Sequence, residues 1–216
     1  MLSLVAFGQV DTIRTNILLA ERGGYAKLIE RLNASDTTLT IEDFQLIYYG
    51  YQTTPNYYSK ENEFNENLIK PLNRSGQYKQ VLELADSILL INPVSLIAHF
   101  EKSFACAQLG QKDLEAFHRK RYILFCNVIK MSGNGTALLR YNCNSTNDAL
   151  EFIAFRALKA VHDSKTETGL IQFDLAKNKQ KLQHMYFYIP DEAYTDITEG
   201  WVDSYLSGLD DFFGSI

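Results

Sequence analysis

No uninterrupted hydrophobic run in this chain approaches the ~20 residues that a membrane helix needs, so the sequence offers no membrane span. Metal signatures are missing too: His99, His118, His162 and His184 form neither HExxH nor any paired-ligand spacing. The three cysteines, Cys106, Cys126 and Cys143, are an odd number without CxxC spacing, which argues against a zinc site and against a disulfide framework. Cys106 and Cys126 fall on apolar helix faces as small core residues, and spacing alone leaves open whether they pair. Positive charge is not in excess. A formal net charge of −5 and a pI near 5.4 repel phosphate backbones, so nucleic acid is not an expected partner. The one tight basic cluster, His118 to Arg121, lies within a helical pattern and reads as a solvated face. Gly133-Asn134-Gly135-Thr136 lacks the Lys-Ser/Thr of a phosphate loop and the third glycine of a dinucleotide fingerprint. It reads as a flexible link, and no cofactor follows from it. Cys143 with His162 or His184 is the only nucleophile–base arrangement to name. No flanking signature supports it, so Cys143 reads as structural and no catalytic residue is assigned.

The remaining composition is that of a globular protein: 46% hydrophobic and 22% charged over 216 residues, enough for one domain or two small ones sharing an interface. Aromatics are plentiful, with 13 Tyr and 13 Phe. At the amino end, Leu2 to Gly8 reads as the tail of a signal peptide, with the small residues Ala6 and Gly8 placed for cleavage before Gln9. No Lys or Arg precedes this short run, which suggests a clipped or misplaced start. The expectation is a periplasmic or secreted protein.

Helical spacing dominates the first part of the chain. Ile13, Ile17, Leu18 and Ala20 suit a helix over residues 11–21, and Tyr25, Leu28, Ile29 and Leu32 suit a second. Thr40 with Asp43 resembles a capping box at the start of a third, which runs out at Gly50. Phe64, Leu68, Ile69 and Leu72 make one apolar stripe, which Pro71 should end or kink. Tyr78, Val81, Leu82, Ala85, Ile88 and Leu89 make another, and Asn92-Pro93 should open the next helix. Ile97 through Leu109 and Leu114 through Leu124 continue the pattern. Gly76 and Gly110, each followed by Gln, lie 34 residues apart, which is the tetratricopeptide period. Gly76, Tyr78, Ala85 and Pro93 fall where that family places its turn glycine, aromatic, small residue and terminal proline, although Val81 replaces the usual Ala. The second unit is degenerate. Beyond Met131 the texture changes. A strand is expected within residues 136–143, a short helix from Thr146 to Leu158, an antiparallel hairpin over 170–189 and an acidic closing helix, Asp191 to Phe213, containing Trp201. The expected fold class is α+β, mostly α. A tetratricopeptide-like array of about six helices spans residues 10–131 after a signal remnant at 1–9, and a small antiparallel sheet with one or two helices spans 132–216.

Asp36-Thr37-Thr38-Leu39-Thr40, then Phe44, then Tyr48-Tyr49-Gly50-Tyr51 is similar to the opening of an uncharacterised family from Bacteroides-type bacteria, the domain of unknown function numbered four-nine-one-nine. The order of the later segments fits as well: the helix pair ending at Asn92-Pro93, the Gly133-Asn134-Gly135 loop and the Tyr186-Phe187 strand. The resemblance implies an exported bacterial protein and no particular activity.

The tyrosine block carries the strongest functional signal. Tyr48, Tyr49, Tyr51, Tyr57 and Tyr58 are candidate ligand-binding residues, because exposed aromatics at a helix end stack peptides or sugars. The competing reading is a core edge whose hydroxyls satisfy loop backbone. The leading function is a non-enzymatic module that binds a protein segment. The alternative is a small-ligand binder or enzyme that uses a cleft between array and sheet.

Overall fold

The computed structural model describes residues 5–6, 9–58 and 60–197. Val5–Ala6 (β1) pairs antiparallel with Gln9–Val10 (β2). The rest of the expected signal remnant lies outside the described residues. Seven helices follow: Thr12–Glu21 (α1), Tyr25–Asn33 (α2), Ile41–Gly50 (α3), Lys60–Arg74 (α4), Tyr78–Ile91 (α5), Leu96–Gln108 (α6) and Lys112–Met131 (α7). Their starts follow capping chemistry. Asp11 accepts from the Arg14 amide at 3.0 Å. Thr40 and Asp43 form a reciprocal capping box, and the Glu42 and Asp43 charges suit the helix N-terminus. The expected opening of α6 at Asn92-Pro93 is corrected. Asn92 Oδ1 accepts the Val94 amide in a turn, and Ser95 is the cap, accepting from the Ala98 amide at 3.3 Å.

Pro71 does not end α4, which continues to Arg74. The larger surprise in this helix is its buried face. Phe64 is 62% exposed and Leu68 41%, whereas Asn62, Glu66, Lys70 and Asn73 are buried beside Ile69. A polar stripe at helical spacing faces inward.

Tyr141–Asn142 (β3) is all that forms of the strand expected at 136–143. The loop before it is held rather than flexible. Leu139 O accepts the Asn134 and Gly135 amides at 2.7 and 3.0 Å, and a Cβ on Gly133 would fall 2.1 Å from Arg140 O, so only glycine fits. Thr146–Phe155 (α8), capped by Ser145, is buried on every face through Ala154. Ala160–Lys165 (β4), Ile171–Leu175 (β5) and His184–Tyr188 (β6) complete a sheet of order β3-β6-β5-β4. The β5–β6 hairpin is antiparallel as expected, with Phe173 opposite Met185, but β3 joins β6 in parallel, so the sheet is mixed. Asp191–Ala193 is a single 3-10 turn followed by extended chain to Ile197. The remainder of the expected closing helix, with Trp201, lies outside the described residues. The fold is α+β and mostly helical. One hydrophobic cluster runs from Leu19 through Phe125, Phe152 and Phe187 to Ala193, and a smaller one, around Ile69, Val81 and Ile88, fills the α4–α5–α6 hairpins.

Candidate functional site

The inward polar stripe of α4 meets α6 and α8 in three linked clusters. Glu66 stands at the first. Its Oε1 accepts from Ser95 Oγ at 2.6 Å and Asn92 Nδ2 at 3.5 Å, and its Oε2 accepts from Asn147 Nδ2 at 2.8 Å. Burial raises its pKa above the usual carboxylate range, and these hydrogen bonds only partly offset that. The carboxylate sits where α6 and α8 both begin, so two helix dipoles favour its charge.

Asp148 anchors the second cluster. Its Oδ2 accepts from the Tyr48 hydroxyl at 2.6 Å, and its Oδ1 accepts from the Leu96 amide at 3.4 Å. Burial pushes its pKa up to about 8, helped by the neighbouring Glu66 and Glu151 charges. Asn144 completes the cluster. It donates from Nδ2 to Tyr48 O at 2.9 Å and accepts from Gln52 Nε2 at 2.8 Å. In the third cluster Lys70 pairs with Glu151 at 2.9 Å, and Asn73 donates to the Glu101 carboxylate at 2.5 Å. Burial lowers the Lys70 pKa and raises that of Glu101 to about 7. A buried set this polar is tolerated because most of its groups are bonded to one another, although Asn73 Oδ1 finds no donor among the described residues.

Next to the first cluster a cleft of about 30 Å³ opens between the 51–58 segment, α4 and the start of α8. Tyr51, Tyr57, Tyr58, Glu63 and Glu66 line it together with Asn92, Asn144 and Asn147. Tyr51 and Tyr57 meet edge to face at 5.5 Å. Their hydroxyls donate to Asn56 O at 3.0 Å and Asn144 O at 2.8 Å, while that of Tyr58 donates to Glu63 Oε2 at 2.8 Å. Burial lifts all three phenols above their ordinary pKa, so they stay neutral. Among the described residues that line the cleft there is no Lys or Arg.

The structure divides the five candidate tyrosines. Tyr48 and Tyr49 are buried in the core with rings 5.0 Å apart. Tyr51, also a buried member of that core, lines the cleft together with the half-buried Tyr57 and Tyr58. Cys143 is fully buried, and burial with the nearby Asp148 pushes its thiol pKa far up; His162 and His184 lie on β4 and β6, where His184 pairs with Asp174 at 2.7 Å. All three thiols are free and buried. No group of three or more potential metal ligands occurs among the described residues. Glu66, Asn92 and Asn147 were not singled out from the sequence as site residues. The signal was there in the four-residue spacing of Asn62, Glu66 and Lys70, but neighbouring apolar residues at a similar spacing hid it.

A family model matches residues 12–195, and its description is a domain of unknown function (DUF4919). No curated protein and no solved structure matches the chain.

Proposed function

For this chain, which belongs to the domain-of-unknown-function family DUF4919, we propose a non-enzymatic recognition role in which the tyrosine-lined cleft receives the ammonium group of a protein segment. The observation that carries this reading is the pairing of Glu63 and Glu66 with three tyrosine rings around a space of about 30 Å³. A space of that size holds a group about as large as one water. Two carboxylates supply charge, and ring faces attract a cation. Glu66 spends three acceptor sites on Asn92, Ser95 and Asn147, leaving about one of its four for a ligand. Asp148, Glu101 and the histidine pair His99–His118 are buried and do not line the cleft, so acid–base chemistry on a bound molecule has little support there.

Calorimetric titration with a lysine-containing peptide, n-butylamine and n-butanol tests the reading. The peptide should bind best, the amine should bind better than the alcohol, and Glu66→Gln should weaken both amine-bearing probes about tenfold. Equal affinity for peptide and amine would make the protein a small-ligand binder instead. An alcohol that matches the amine, or no binding at all, refutes the cation site. Export is a separate part of the proposal and is supported by the Leu2–Gly8 segment. Capture from the native host after in-cell crosslinking should yield a chain beginning at Gln9, and an intact amino end would refute it.

A further inference from the structure

A larger cleft, of about 290 Å³, lies between the 32–44 region and α7 and shares no residue with the tyrosine-lined site. Its floor is apolar: Leu32, Leu39, Phe44 and Leu124. Two cations, Lys120 and Arg121, also line it.

Arg121 is unusual. It is only 6% exposed, yet among the described residues no carboxylate pairs with it. Its guanidinium lies 3.5 Å above the Phe117 ring, and one of its five N–H groups donates to Leu32 O. The other N–H groups have no acceptor among the described residues. Burying an uncompensated guanidinium is costly, and burial alone lowers its pKa to about 10. The acidic residue among the described residues that line the cleft, Asp36, is already committed. Arg31 bonds it at 2.7 Å and the Thr38 amide at 2.8 Å. Asp36 and Arg31 therefore cancel, and the cleft keeps the positive charge of Arg121 and Lys120.

We infer that this cleft is a binding site for a small aliphatic carboxylate, whose tail packs on Leu32, Leu39, Phe44 and Leu124 and whose head pairs with Arg121. Guanidinium and carboxylate match as a two-bond fork, and Lys120 at the surface adds a second charge. The volume accommodates about ten water-sized units, the scale of an eight-carbon acid.

Octanoate, 1-octanol and octylamine, titrated calorimetrically into the full chain, test this. Octanoate should bind about tenfold tighter than octanol and tighter still than octylamine. Arg121→Gln should erase the advantage of the acid, and Lys120→Gln should reduce it. Octanol equal to octanoate on the unsubstituted chain would leave only an apolar cleft and overturn the proposal, as would no binding of any probe. The ratio on the unsubstituted chain decides the matter even where Arg121→Gln fails to fold.

Discussion

Asp148→Asn should change how stability depends on pH. The folded-state pKa of Asp148 is about 8, against an ordinary 3.8. A carboxyl raised in the folded state binds a proton that the unfolded chain has released, so folding is favoured at low pH and the contribution is lost as pH rises between those values. Each pH unit costs about 1.4 kcal/mol, so charging the unfolded chain between pH 4 and pH 7 costs on the order of 4 kcal/mol. Asparagine has the shape of the protonated acid. Its Oδ1 still accepts the Leu96 amide, while its Nδ2 replaces the Oδ2 that accepts the Tyr48 hydroxyl, so that hydroxyl turns and becomes the acceptor. Urea denaturation across pH 4 to 8 should therefore show variant and parent of similar stability near pH 4, with the variant ahead by a few kcal/mol at pH 7. Glu66 and Glu101, also raised, tilt both curves in the same sense, so the difference between the curves isolates Asp148. Parallel curves would mean that Asp148 is ionised in the folded protein and would refute the argument.

Two further expectations test packing. Ile69→Ala should cost about 2–5 kcal/mol in urea denaturation, whereas Phe64→Ala, on the exposed side of the same helix, should cost less than about 1 kcal/mol; a reversed order would overturn the face assigned to α4. Cys143, fully buried with its thiol pKa pushed up, should react with a thiol reagent only on unfolding, and fast labelling of the native protein would return it to consideration as a nucleophile.

Much of the secondary structure was legible. The Thr40–Asp43 box, the glycine turns at Gly76 and Gly110 and the alternating Met185 to Ile189 segment act through chemistry local to a few residues. The site was legible only in part. Tyr51, Tyr57 and Tyr58 stood out as aromatics, but nothing in the order of residues separates them from Tyr48 and Tyr49, which lie in the core without lining the cleft.

The sequence by itself determined most of the elements, because capping, period and turn chemistry act within a few residues, but it did not mark β4, an edge strand that forms only by pairing with β5. Only the tertiary structure decided which face of each element turns inward. On α4 the expected apolar stripe was split: Ile69 and Leu72 pack inward, while Phe64 and Leu68 gave way to the polar stripe of Asn62, Glu66, Lys70 and Asn73. The reason lies far along the chain. Ser95 at the α6 cap, Glu101 on α6, and Asn147 and Glu151 on α8 pair with Glu66, Lys70 and the Asn73 amide nitrogen, and a polar face can be buried only where partners wait.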